Sequence, residues 1–284
     1  MEKYALLRDK LLASGQFTAD DIVLPAAATL EELCRAHAPD YIERVVHGQL
    51  SEAEIKAIGF PWSPEMVERS RRSAGATLGA ARAALRDGVA ANLAGGTHHA
   101  HYARGEGFCV FNDAAITART LVAEGLARRV LIVDADVHQG NGTATILAGD
   151  PHCFTFSLHG ARNFPFSKAE SDLDIELPDA CGDVAYLQQF AWGLDTAFDL
   201  ANPDVVIYLA GADPYVNDRL GRLALSFAGL RTRDEVMCEL CYHRQIPLAI
   251  AMAGGYAKPI SDTVQIHSTT ILTARQVWFG GVGK

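Results

Sequence analysis

Nothing in this chain approaches the roughly 18–20 uninterrupted apolar residues that a membrane-spanning helix needs, so no membrane role is expected of it. Residues 1–15 are charged and amphipathic, with neither the apolar core nor the small-residue cleavage site of a secretory leader. Basic charge is in deficit: 25 Lys and Arg stand against 34 Asp and Glu, a formal net charge of −9. A nucleic-acid scaffold needs a basic face, and the charge balance argues against one. By long-range steering alone, the same balance mildly favours cationic substrates. The six cysteines are scattered, which reads as reduced thiols in a cytoplasmic setting. Cys238 and Cys241 form a CxxC, but in a helix-like segment and with no second pair to complete a zinc site. Core packing is the expectation there, rather than redox or metal chemistry. Internal repeats and low-complexity tracts are absent.

What is present is apolar sequence, 49% of 284 residues, enough for one large domain that needs no disulfide or structural metal. Helical signals crowd the first third. Leu6, Leu7 and Leu11 have helical spacing, and Thr29-Leu30-Glu31-Glu32 and Ser51-Glu52-Ala53-Glu54 are capping boxes. Ser63-Pro64 opens a long Ala-rich helix that Gly88 stops. From there short apolar runs (89–94, 130–135, 153–158, 205–210 and 247–253) alternate with helices near 112–125, 141–148, 183–201, 232–244 and 258–275. Val130-Leu131-Ile132-Val133 and Val205-Val206-Ile207-Tyr208-Leu209 are apolar throughout, the pattern of strands buried on both faces. The fold class is α/β: a mainly parallel sheet, doubly wound, with helices on both faces.

Such sheets bind ligands beyond the carboxyl ends of their strands. Every apolar run here ends in or is followed by reactive groups: His98 and His99 come after the first, Asp134, Asp136 and His138 come at the end of the second, Ser157 and His159 end the third, Asp213 follows the fourth and Tyr256 the fifth. Asp136 and His138 are two apart and point the same way from an extended strand end. A carboxylate and an imidazole together suit Zn²⁺, with Asp213 the best third ligand and a fourth position left for water. The competing reading makes these Asp residues caps of the following helices and turns.

Six motifs then occur in order: Gly95-Gly96-Thr97-His98-His99-Ala100, Gly107-Phe108-Cys109-Val110-Phe111-Asn112-Asp113, the run 134–142, Phe156-Ser157-Leu158-His159, Gly211-Ala212-Asp213-Pro214 and Gly254-Gly255-Tyr256. In these the chain resembles the zinc-dependent histone deacetylases and their bacterial relatives. Asn163-Phe164-Pro165, the run 171–177 and the Ala-Lys after Gly-Gly-Tyr look most like the class IV branch. The resemblance implies one arginase/deacetylase-like three-layer domain over residues 1–284, hydrolysing the amide of an acylated amine with one Zn²⁺ per chain held by Asp136, His138 and Asp213.

The same resemblance makes His99 the general base and then acid, His98 an electrostatic partner, and Tyr256 the donor to the substrate carbonyl. Asp134 would orient His98, and Asn141 would orient His99 where better-known branches have Asp; the expectation is a less basic His99. Asp134, Ser157 and main-chain carbonyls of Asp136, His138 and Leu158 match the family's potassium site. Phe108 and Phe164, with Gly107, resemble the walls of the acyl tunnel. Binuclear manganese ureohydrolases share the fold, but their second metal would need carboxylates at Gly140 and Gly211.

Family members usually begin with a strand and loop ahead of the first helix; this chain begins at that helix, through a late start or a strand truly absent. The loop Gly59-Phe60-Pro61-Trp62-Ser63 is a candidate rim. The leading substrate is acyl-lysine in a peptide or protein, acetyl or longer. Small acylated amines such as acetylpolyamines, and a catalytically silent binding protein, are the alternatives.

Overall fold

The computed structural model describes residues 2–280. Four helices and a short turn precede the first long one: α1 (Glu2–Ala13), α2 (Leu30–Cys34), α3 (Pro39–Val46), α4 (Glu52–Ile58) and then α5 (Pro64–Asp87). The expected caps are in place. Thr29 Oγ1 accepts from Glu32 N–H while the Glu32 carboxylate accepts from Thr29 N–H, and Ser51 and Glu54 repeat the exchange. Gly88 ends α5 at φ +89, a conformation open to glycine. Helix α3, which the sequence reading did not name, starts on Pro39 and buries Tyr41, Ile42 and Val45.

Strands and helices then alternate: β1 (Val89–Asn92), α6 (Asp113–Ala123), β2 (Val130–Asp134), α7 (Asn141–Leu147), β3 (Cys153–Gly160), β4 (Leu173–Leu177), α8 (Asp183–Ala201), β5 (Val205–Leu209), α9 (Phe227–Arg244), β6 (Leu248–Ala251) and α10 (Ile260–Phe279). Helix α9 begins five residues before the expected start, because Ser226 Oγ accepts from Gly229 N–H and caps it there. Strand β4 was unanticipated.

All six strands form one parallel sheet in the order β1-β6-β5-β2-β3-β4. Alternate residues feed two cores. On one face Leu131, Val133, Val206, Tyr208, Leu248 and Ile250 pack against α1, α8, α9 and α10. On the other Val130, Ile132, Val205, Ile207, Leu209 and Ala249 meet helices of the first half. Period-two side chains buried on both sides make a three-layer sandwich. Cys238 and Cys241 are buried free thiols inside the first of these cores, as expected.

The chain leaves β2 toward β3 and β4, then returns on the other side of β2 as β5. A crevice opens at that switch point, beyond the carboxyl ends of β2 and β5. No helix among the described residues is long and apolar enough to cross a membrane.

Candidate functional site

Asp136 and His138 follow β2, and Asp213 follows β5, so the two central strands bring them together. One ligand atom from each lies within 4.8 Å of the others. His138 Nδ1 is 3.0 Å from Asp136 Oδ1 and 3.3 Å from Asp213 Oδ2. Nδ1 carries at most one hydrogen, so Asp213 Oδ2 is left buried without a hydrogen bond. Two buried carboxylates share one imidazole, and the charge sum shows. Asp213 is pushed up to about 7 by burial and by the charge of Asp136. His138 rises to about 10, because the two carboxylates beside it, Asp136 and Asp213, outweigh the effect of burial. With no other cation among them, the two carboxylates draw a proton onto the imidazole, and the three side chains present a nitrogen and carboxylate oxygens to one point, the donor set of a zinc site with an open position.

Glycines make this convergence possible. A Cβ at Gly254 would collide with Asp213 Oδ2 and lie 2.6 Å from Asp136 Oδ2, while the Gly254 N–H donates to Asp136 Oδ2 at 2.8 Å. At Gly211 a Cβ would lie 2.6 Å from Asp136 Cα, and at Gly140 it would strike Asp134 Oδ2. Neither position has room for the carboxylate a second metal would require.

His98 and His99 arrive on the turn after β1, their rings 4.1 Å apart. Gly96 in that turn takes φ +75, and a Cβ there would lie 2.4 Å from Ala253 Cα, so the histidine turn abuts the loop after β6. His98 Nδ1 meets Asp134 Oδ2 at 2.6 Å. Burial alone would lower its pKa, but Asp134 and Asp136 hold it near 9. His99 Nδ1 meets Asn141 Oδ1 at 2.7 Å. The amide's orientation follows from its other side, where Nδ2 donates to the Glu106 carboxylate at 2.9 Å, and a carboxylate only accepts. His99 therefore donates from Nδ1, and its Nε2 carries the lone pair. Burial and the charge on His98 keep its pKa well below the usual histidine value.

Tyr256 is fixed through its backbone: its N–H donates to Asp218 Oδ2 at 2.6 Å, and its carbonyl accepts from Arg219 Nε at 2.9 Å. Burial and nearby Asp213 and Asp136 raise its pKa, so the phenol keeps its proton. Phe108, at φ +66, stands 6.3 Å from the Tyr256 ring and 5.4 Å from Phe60 of the expected rim loop. Phe164 meets the His99 ring edge-on at 4.9 Å. Gly107 backs onto the same ring, where a Cβ would lie 2.6 Å from His99 Cδ2.

One cavity of about 1180 Å³ is lined by His98, His99, Asp136, His138, Asp213, Tyr256, Gly107, Phe108 and Phe164. Asp134 and Asn141 stand behind the histidines. Ser157 and His159 lie in the last half of β3, and Ser157 Oγ meets His159 Nδ1 at 2.9 Å. Several supporting residues escaped the sequence reading. Arg233, fully buried on α9, donates to the carbonyl of Gly211 at 2.7 Å and Ala135 at 3.3 Å, bracing both ligand-bearing strand ends. Gln139 ties the loop after β2 to Ala169 and Asp174. Lys3 of α1 lines the cavity, its Nζ 3.3 Å from the Ala253 carbonyl and 5.3 Å from the Tyr256 ring centre. The cavity's charge also differs from the chain's acidic average: seven Lys and Arg line it, against Asp136 and Asp213 alone. A net charge sums the whole surface, whereas a pocket's field is local.

Residues 1–272 match the histone deacetylase domain family. The chain is 43% identical over 278 residues to an uncharacterized protein of Picosynechococcus, covering 98% of this chain and 93% of that protein. It is 28% identical over 268 residues to histone deacetylase 2 of Arabidopsis thaliana, covering 90% and 69% respectively. The solved HD domain of HDA15 shares the fold, with a TM-score of 0.80 at 24% identity over 98% of this chain and 83% of that one.

Proposed function

The chain belongs to the histone deacetylase domain family, a family of zinc-dependent amide hydrolases, and we propose that its own substrate is an N-ε-acyl-lysine, acetyl or longer, in a peptide or protein. The observation that carries this reading is the gathering of a three-ligand group, a neutral histidine and a protonated tyrosine around one aromatic-walled cavity.

Asp136, His138 and Asp213 would hold Zn²⁺, which supplies the Lewis acidity that polarises a carbonyl and makes water acidic near neutral pH. His99, with Nδ1–H held by Asn141, takes a proton from water at Nε2 and returns it to the leaving amine. His98, charged against Asp134, adds a fixed positive field. Tyr256 donates its phenolic hydrogen to the carbonyl oxygen as charge develops there. Phe108 and Phe164, with Gly107 against the His99 ring, flank the methylene stem. Asp134 and Ser157, with main-chain carbonyls of Asp136, His138 and Leu158, are assigned to a potassium ion. Every group that proton transfer needs is present, which speaks against a silent binding protein.

The test is turnover of acyl-lysine peptides, acetyl through long-chain, with and without added zinc. Zinc-dependent turnover is expected, and Tyr256→Phe should cut kcat about 10²–10³-fold with metal content unchanged. Zinc-loaded protein that turns over none of the peptides would refute the substrate assignment.

A further inference from the structure

The cavity's opening is basic although the chain is acidic. Four exposed cations line it: Arg162, Arg219, Arg222 and Lys258. No exposed acid does; the two acids of the lining, Asp136 and Asp213, are buried among the proposed metal ligands. Two carboxylates stand nearby. Asp179 lies outside the lining, bonded to Arg222 at 2.7 Å and 3.6 Å from Arg162. Asp218 is turned inward, accepting from Tyr256, Leu220 and Gly221 N–H groups. Among the residues that line the cavity the exposed charge is therefore all positive, and Lys258 has no ion pair among the described residues. Phe166, 88% exposed, and Leu220, 45% exposed, sit among the cations and offer apolar contact.

Like charges brought to such an opening repel, and unlike charges are drawn in and oriented. A polyamine carries further ammonium groups, which would have to lie against this rim. A peptide with Asp or Glu beside the acyl-lysine would set its carboxylates against Arg162 and Lys258 while the neutral acyl-lysine stem enters. Resting on the acyl-lysine reading, we propose that the rim is a specificity surface: it selects acyl-lysines flanked by acidic residues and discriminates against basic flanks and polycationic acylamines.

The experiment compares kcat/KM of the zinc-loaded full chain on three acetyl-lysine peptides, with acidic, neutral and basic flanks, and on N-acetylspermidine. Each is measured at about 50 mM and about 500 mM salt, since exposed charge pairs are screened over a few ångströms at high ionic strength. The acidic peptide should exceed the basic one by about three- to tenfold at low salt, with the gap narrowing at high salt. Arg162→Glu with Lys258→Glu should reverse the order while leaving the neutral peptide unchanged, and that peptide also reports that the variant is folded. Arg219 is left intact because it holds Tyr256. Equal rates on the three peptides, a basic preference, or an order untouched by the double substitution would overturn the rim's role while the acyl-lysine reading stands. Turnover of N-acetylspermidine with none of any peptide would overturn both.

Discussion

His37 is held in one protonation state by two opposed partners. Its Nδ1 donates to the His101 carbonyl at 2.9 Å, and its Nε2 accepts from the Asn112 N–H at 2.8 Å. A second ring proton would set two N–H groups against each other, in a side chain with no exposed surface. Burial lowers its pKa from 6.5 to about 4, against the weaker opposing effect of its carbonyl partners. The unfolded chain therefore binds a proton in this window that the folded chain does not, and stability rises with pH through it. The contribution of His37 is whole above pH 6.5, shrinks as the pH falls, and is fully lost near pH 4. At about pH 5 the loss comes to about 2 kcal/mol, and across the whole window to about 3 kcal/mol. Urea unfolding of metal-stripped wild type and His37→Gln at stepped pH isolates it. Other buried groups cancel in the difference, among them His159, whose pKa burial also lowers to about 4. His37→Gln should be less stable at neutral pH, and the gap should close by about 2 kcal/mol between about pH 7.5 and pH 5. Two parallel curves would refute the argument.

Two further substitutions probe the support of the ligand group. Arg233→Ala leaves Asp234 buried, with Tyr208 and Thr270 hydroxyls but no cation, and frees two carbonyls. It should cost about 3–5 kcal/mol in urea unfolding, and a loss below about 1 kcal/mol would sink the claim that Arg233 braces β2 and β5. Gly254→Ala pushes a methyl onto Asp213 and removes no ligand. Zinc affinity, measured by competition with a chelator, should fall at least about tenfold; unchanged affinity would mean that the close approach is slack.

The strands that carry the ligands were readable because they lie mid-sheet: burial on both faces writes an unbroken apolar run, as in β2 and β5. Edge strand β4 is written differently. Its Leu-Asp-Ile-Glu-Leu alternates, exposing Glu176 and burying Ile175 and Leu177, and the period-two signal was there to be used. Helix α3 likewise carried Pro at its first position and apolar residues on one face. The site's reactive residues stood out because each ends or follows a strand, and the structure brings the expected ligands, histidines and tyrosine to one cavity. Their supports did not stand out. Arg233 reads as one more charge on a helix, since the carbonyls it holds are 22 and 98 residues away. Lys3 lies at the opposite end of the chain from the tyrosine it covers. Glu106 looks like a loop acid until the Asn141 amide is seen between it and His99. Contacts of this kind depend on tertiary placement and leave no local pattern.

The ligand-bearing ends of β2 and β5 adjoin each other at the middle of the sheet, each strand paired on both sides, while Arg162, Arg219, Arg222 and Lys258 ride on loops. The molecule is thus divided by how freely it can vary. Moving a ligand means re-registering paired strands with a full core above and below, whereas changing Arg162 or Lys258, which hold no part of the site, disturbs little beyond solvent. Divergence in what such a protein accepts can proceed at the rim, one loop residue at a time, over chemistry that the central strands keep still.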